Sequence, residues 1–324
     1  MFVRIFLSCL FIINASTVSG LGSFSAMMTI DEKQQKKFIR MVAGLDNGAF
    51  DIISPSNKVR SKEYRIHMIG DSTMRNQWSA LCSLFAGSPK KLPQPTNMVP
   101  SLQCIGDGWG YKRLIATGTF DFMNPLVASQ MPGILAAATK AYNISHFDAI
   151  TFGSTALHAL QLFPYRDLGD TFWQKAIHFE NDVSNMLRVV KNYTSCPIFQ
   201  TIHYICDNLF VGKWADAIKD IYSGNDSKLR SICQKRLPQS VEVCMEFSFT
   251  SKGSTRVAQL EQHGIKSVDS AIGIVDTYAL TYTQCWATSD GVHYVKLIPL
   301  FLKALSEHVR ACQVSPVSAS VELF

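Results

Sequence analysis

The 324-residue sequence is poor in charge: Asp, Glu, Lys and Arg make up 17% of it, against 47% hydrophobic residues. That balance excludes a disordered chain, which would lack the apolar surface needed to offset its ordering entropy. A dense basic run is also missing. Arg40, Lys58, Arg60, Lys62, Lys90 and Lys91 are scattered, so the net charge of +6 reads as a solvated surface and not as a nucleic-acid footprint. There is no CxxC pair and no His/Cys cluster, which removes the usual zinc patterns; no metal and no other cofactor is implied. Past the N-terminal stretch no apolar run is long enough to span a bilayer, and Leu297–Leu305 is broken by Pro299 and Lys303. No internal repeat or interdomain linker divides the chain.

The first stretch is a targeting pattern. Arg4 supplies a basic start, Ile5–Ile13 an apolar run, and Asn14–Gly20 small and polar residues. This predicts a secretory signal peptide over residues 1–20, with an uncleaved signal anchor as the rival reading. Cys9 leaves with it, and the eight remaining cysteines (an even number) read as disulfides formed in an oxidising compartment, with pairing that spacing does not reveal. The expected location is the secretory pathway, either secreted or in the ER/Golgi lumen. Asn143-Ile144-Ser145, Asn192-Tyr193-Thr194 and Asn225-Asp226-Ser227 are glycosylation sequons in that setting.

Chemistry concentrates in Tyr64–Trp78. Tyr64–Ile69 alternates and ends at Gly70, as a short strand does. From Met74 the apolar residues Met74, Trp78, Leu81, Cys82 and Phe85 keep helical spacing. Strand, sharp turn and helix thus follow one another, with Ser72 in the turn. Such a turn exposes a hydroxyl at the C-terminal edge of a sheet, beneath the free N–H groups of a helix. A serine needs a base. Near the other end stands Ser289-Asp290-Gly291-Val292-His293, where Asp290 and His293 are three apart. One loop can then supply the acid that orients an imidazole and the imidazole that activates Ser72. Asp71 reads as turn support through backbone N–H groups. Arg75, one turn into the helix, either braces the pocket and meets substrate or is an ordinary solvated arginine. Trp78 reads as core. His158 and His203 fall at strand ends and read as structural, with an alternative base as the lesser reading.

The remaining pattern alternates strands with helices, which predicts a parallel sheet covered on both faces. After a helix over Thr29–Met41 and a lead-in to residue 62, Ser88–Asp107 reads as a long loop. Strands follow at Tyr111–Phe122, Phe147–Phe152 and Pro197–Ile205, and a fifth at Ala271–Val275 in preference to Ile265–Val268. Helices fall at Leu126–Ala141, Phe172–Lys191, Thr255–His263 and Val295–Arg310, and Asn208–Gly253 reads as an irregular, disulfide-tied excursion.

The pair GDS and DxxH resembles the first and last blocks of the SGNH/GDSL hydrolase superfamily. GDSTMRNQW (Gly70–Trp78) is similar to the GDSxxRNQW block of the trichome-birefringence-like polysaccharide O-acetyltransferases. It also resembles the PC-esterase group and the acyltransferase-like domains of animal sialic-acid O-acetylation proteins. Phe120–Val127 resembles the FYxSPFLV run of the plant enzymes, and Phe147–His158 the central strand and loop in which PC-esterases have NSGLH. The resemblance runs from about Tyr64 to Cys312, specific at its ends and loose between. It implies a three-layer α/β/α sandwich with a mostly parallel, about five-stranded sheet, SGNH-like over residues 63–312, after a lead-in over 21–62 and before a tail over 313–324. It implies an oxyanion hole to which Gly118 and Ser154 contribute. Ser154 stands where the superfamily has asparagine, and DGVHYVKLIP replaces the plant DCxHWCxPGxPDxW block. The expected activity is O-acyl transfer, chiefly O-acetyl, to a glycan from an acyl donor through an acyl-enzyme on Ser72. The alternatives are an acetylesterase with the same triad and a catalytically lapsed glycan-binding relative. Neither a nucleic-acid partner nor a membrane span beyond the possible anchor is expected.

Overall fold

A computed structural model of the chain describes residues 63–85, 102–109, 111–120, 130–153, 179–211, 215–236, 238–268 and 272–314. The expected signal peptide, the Thr29–Met41 helix, residues 315–324 of the expected tail (its first two, Gln313 and Val314, end the last helix), most of the Phe120–Val127 run, Ser154 and His158 lie outside the described residues. All described residues belong to one compact unit.

Tyr64–Gly70 forms strand β1, with six of its seven residues buried. Ile66 and Met68 face one side of the sheet, and Ile69 faces the other with His67 beside it. A strand buried on both faces sits in the middle of a covered parallel sheet. Further strands are β2 (Leu102–Gly108), β3 (Tyr111–Phe120), β4 (Ala149–Gly153), β5 (Pro197–Gln200) and β6 (Gly273–Val275), in the order β2-β3-β1-β4-β5-β6. Every neighbouring pair is parallel except β2 and β3. The sheet therefore has six strands where five were expected. The extra one is β2, which occupies part of the stretch that reads as a loop. An antiparallel edge strand has a single partner, and β2 carries Gly106 and Gly108 with a bulge between them, so its pairing comes from β3 and not from its own pattern.

Helix α1 (Ser72–Phe85) and a C-terminal helix (Ile298–Val314) cover one face. Met74, Trp78, Leu81, Phe301, Leu302 and Leu305 pack there on Ile66, Met68, Leu114 and Ile198. Helices α2 (Met131–Tyr142), α3 (Phe179–Val190) and one over Ser251–Lys266 cover the other, with Leu135, Val183, Leu187 and Val257 on Ile69, Ile150, Phe152 and Phe199. Helix, sheet and helix make the three-layer α/β/α sandwich. Successive helices change face on either side of β1, so the C-terminal end of β1 lies at the reversal of strand order, where open α/β sheets place their ligands.

Two other segments depart from expectation. The excursion after residue 208 is helical, not irregular: Ala215–Tyr222, Ser227–Arg236 and Val241–Glu246 pack around Ala217, Leu229, Cys233 and Cys244. The strand at Pro197 stops at Gln200, although the chain continues extended to Cys206. There the backbone N–H groups find other acceptors: Val275 O for Thr201, Glu261 for Ile202, the Thr281 hydroxyl for Tyr204, that of Ser254 for Ile205, and Gly291 O for Cys206. All eight cysteines past residue 20 are paired: Cys82–Cys104, Cys196–Cys312, Cys206–Cys285 and Cys233–Cys244. Among the described residues no helix is long and apolar enough to cross a membrane.

Candidate active site

Ser72 is the first residue of α1, directly past the end of β1. Gly70 makes the sharp return possible: a Cβ there would lie 2.5 Å from Met74 Cβ and 3.0 Å from the Gly153 carbonyl. Asp71 caps the helix. Its Oδ1 accepts from the Thr73 N–H at 2.8 Å and the Thr73 hydroxyl at 2.6 Å, and its carbonyl accepts from the Arg75 N–H. The rest of the block anchors α1. Gln77 donates to Gln200 Oε1, Gln200 donates to the Thr151 hydroxyl, and Trp78 Nε1 donates to the Ala116 carbonyl. Trp78 is buried in the core.

Ser72 Oγ lies 2.7 Å from His293 Nε2, although 221 residues separate them. His293 Nδ1 lies 2.6 Å from Asp290 Oδ2. The other Asp290 oxygen accepts from the backbone N–H groups of His293 (2.8 Å) and Val292 (3.0 Å) and from the Thr288 hydroxyl (3.1 Å). Burial pushes the Asp290 carboxyl up, but the His293 ring and those two N–H groups outweigh it and hold the carboxyl well below the usual range. The hydrogen bond that the ring gives to Asp290 raises the His293 imidazole above its ordinary 6.5, against burial and the Arg75 charge.

The loop carrying Asp290 and His293 is held from outside. Gly291 has φ +81°, and a Cβ there would come within 2.7 Å of the Cys206 carbonyl. Cys206 donates its N–H to Gly291 O, Val211 donates to Asp290 O, and Cys206–Cys285 ties the loop's approach to the segment after β5. The Tyr294 hydroxyl donates to the Tyr204 carbonyl at 2.7 Å.

Of the residues that the sequence singles out, Ser72, Asp290 and His293 come together, with Asp71 under the turn and Arg75 nearby. Gly118 does not join them. It sits inside β3, in register with Met68 of β1 and Leu102 of β2, beneath the Phe120 ring. It lies about 7 Å below the end of the sheet, at two residues' rise, and its backbone is committed to the ladder. His203 is buried behind His293 and makes no bond to Ser72 Oγ. Ser72 stands at the N-terminal end of α1, where the helix dipole favours negative charge. Sequence reasoning missed Thr73, Asn76 and Tyr294, which line a small cavity with His203 and His293. Of these, Thr73 and Asn76 fall inside the GDSTMRNQW block, which marks the stretch without giving either a role. Among the described residues no group of three or more His, Cys, Asp or Glu side chains could hold a metal ion.

No protein-family model matches the chain, and no curated protein does. Among solved structures, the crystal structure of the lipase Lip_vut3 from goat rumen metagenome is similar. It has 12% identity and a TM-score of 0.36, over 77% of this chain and 97% of the lipase. A likeness of that size assigns neither family nor activity.

Proposed function

We propose that the chain is a serine-dependent O-acyl transferase of the SGNH type, acting in the secretory pathway and moving an acyl group, chiefly acetyl, onto a glycan. The single observation that carries this reading is the unbroken relay Ser72–His293–Asp290, with contacts of 2.7 and 2.6 Å. His293 Nε2 takes the Ser72 proton as Oγ bonds to the acyl carbonyl carbon. The resulting oxyanion lies at the start of α1, where the Ser72 N–H and the helix dipole favour negative charge. His293 then protonates the leaving alkoxide of the donor, and the C–O bond to it breaks, leaving an acyl-enzyme. An acceptor hydroxyl gives its proton to His293 as its oxygen bonds to the acyl carbon; the bond from that carbon to Ser72 Oγ then breaks, and His293 returns the proton to Oγ. Asp290 holds the Nδ1–H tautomer throughout.

Ser154, in the segment after β4, is the further oxyanion donor in this reading, and Arg75 opposes premature protonation of the base. Tyr204, Tyr278 and Tyr282, whose rings lie 5.1–6.1 Å apart with Tyr282 half exposed, offer flat faces for a sugar ring. The four disulfides favour an oxidising compartment. Residues 1–20 are then the signal, 21–62 a lead-in, 63–312 the catalytic domain and 313–324 a tail. The esterase reading uses the same residues with water as acceptor; the partial exposure of the His293 side chain, 29%, favours it.

A fluorophosphonate probe tests the relay. Wild type is expected to label at Ser72 and Ser72→Ala to lose labelling by at least about 10³-fold. Unlabelled wild type would sink both readings. Acetyl transfer from a donor ester to a panel of oligosaccharides, scored against release of free acetate, then separates transferase from esterase.

A further inference from the structure

We propose that His203 is a positioning residue for His293: its ring holds the Val292 carbonyl on one side and one water molecule on the other, in the cavity between the start of α1 and the acid–base loop. The proposal rests on the reading of Ser72 and His293 as nucleophile and base.

His203 stands in the extended segment after β5 and is 2% exposed. Its ring packs edge-on against Tyr294 (5.7 Å) and tilted against Phe301 (5.2 Å), so its orientation is fixed. Nδ1 lies 3.3 Å from the Val292 carbonyl. A carbonyl only accepts, so Nδ1 carries the hydrogen and Nε2 is left with a lone pair. That Nε2 is buried and has no hydrogen-bond partner among the described residues. A buried acceptor without a donor is costly, and such groups are normally satisfied by protein or by ordered water.

The cavity beside it is lined by Thr73, Asn76, His203, His293 and Tyr294 together with the apolar Val295, Ile298 and Phe301. Its volume of about 10 Å³ suits the centre of a single water. The lining offers the partners a water needs. Nε2 accepts from it, the Asn76 amide can donate to it, and the Thr73 oxygen, whose hydrogen goes to Asp71, can accept. The groups facing His203 are Val292 O, the Asp71 carboxylate and the His293 ring. Burial prevails over the first two and pushes the imidazole down to about 4, so it is neutral at pH 7 and brings no charge to His293.

The consequence for His293 is mechanical. The peptide between Val292 and His293 gives its N–H, that of His293, to Asp290 Oδ1 and its carbonyl, that of Val292, to His203, so it is held at both ends. Without His203 that peptide is free to turn, and the Asp290–His293 alignment loosens.

The test is an NMR titration of His293 in the full-chain protein, with fluorophosphonate labelling rates measured across pH, for wild type, His203→Leu, His203→Asn and Asn76→Ala. His203→Leu is expected to lower the His293 pKa toward 6.5 and to slow labelling about tenfold. His203→Asn, whose amide N–H replaces Nδ1–H, restores most of both, and Asn76→Ala gives a smaller change in the same direction. If His203→Leu melts earlier while the His293 pKa and the labelling rate per folded molecule stay at wild-type values, His203 is packing alone and the proposal is overturned. Should His203→Leu not fold, His203→Phe, which keeps a flat ring but has no N–H, takes its place: a His293 pKa and labelling rate at wild-type values in that variant would overturn the proposal, and an unchanged titration in Asn76→Ala would remove the water. Wild type that fails to label defeats the nucleophile reading, yet the His293 titration still decides the clamp.

Discussion

The two halves of the relay are built in opposite ways. The nucleophile is placed by its immediate neighbours: Gly70 permits the turn, Asp71 caps the helix, and Thr73 answers Asp71, all within four residues. The histidine is placed by the rest of the fold. Its loop depends on Cys206–Cys285, the backbone of Cys206 and Val211, the Tyr294–Tyr204 bond, and His203. One half is thus written in a short stretch of chain and the other in tertiary structure. Damage far from the chemistry should move His293 before it moves Ser72.

The largest break in this comparison comes from the one local element on the histidine side. Asp290→Asn keeps the loop's shape but offers an amide where His293 needs an acceptor. It should slow serine labelling by about 10³–10⁴-fold per folded molecule, and it should also lower the melting temperature, because it removes the carboxylate charge that His293 and two backbone N–H groups stabilise. A loss under tenfold would mean that Asp290 only caps the loop. The same variant sharpens the pH behaviour. His293 works as a base when neutral, and its pKa lies above 6.5 because of Asp290. Wild-type labelling should therefore rise with pH to a midpoint above 6.5, and Asp290→Asn should move that midpoint down. An unmoved midpoint would assign the titration to another group. The linked stability terms have opposite signs. The raised His293 stabilises the fold at low pH and loses this as pH rises through its folded pKa; the lowered Asp290 stabilises it above its unfolded pKa and loses this on acidification.

Next in size is the tertiary support itself. Removing Cys206–Cys285, which closes a span of 79 residues, should cost about 4–5 kcal/mol on chain-entropy grounds. Removing Cys233–Cys244, which closes one of 11, should cost about 3 kcal/mol. The difference that matters is in function. Cys206→Ala/Cys285→Ala should also slow labelling per folded molecule about tenfold, whereas Cys233→Ala/Cys244→Ala, confined to the helical excursion, should not. Equal rates in the two variants would show that the histidine loop holds without its disulfide.

This division also explains what the sequence made legible. Ser72, Asp290 and His293 were readable because Gly70-Asp71-Ser72 and Asp290-Gly291-Val292-His293 each carry their own turn chemistry. The two-faced burial of β1 and the helix on its heels were readable from periodicity. What was hidden depends on partners distant in sequence. β2 exists because β3 offers it an edge. The helices after residue 208 gain stability from their disulfide and from ion pairs such as Arg230–Glu242 and Lys228–Asp220. The strand expected through Ile205 ends at Gln200 because the N–H groups beyond it bond mainly to side chains and to loops. Gly118 looked free to serve an oxyanion because nothing local shows that both its neighbours claim it.

The smallest predicted effect lies at the base of that tertiary support. Glu261 is fully buried, and its Oε2 accepts from the Ile202 N–H, next to His203. Burial holds the carboxyl well above the ordinary range, against that hydrogen bond and with the Asp276 charge adding to the rise. An acid whose folded pKa is raised gives its full stability only below the unfolded pKa, about 4.3. Above that the unfolded chain has lost the proton and the folded one keeps it, so stability falls by about 1.4 kcal/mol per pH unit until the folded pKa is reached. Glu261→Gln keeps an oxygen for Ile202 and removes the titration, but its amide brings a second N–H that also needs a partner. The variant should therefore be slightly less stable than wild type at pH 4 and more stable than wild type at pH 8, read from urea midpoints at the two pH values. A stability difference that does not change with pH would mean that Glu261 holds no proton in the fold, and that Ile202, and His203 beyond it, are anchored by a carboxylate.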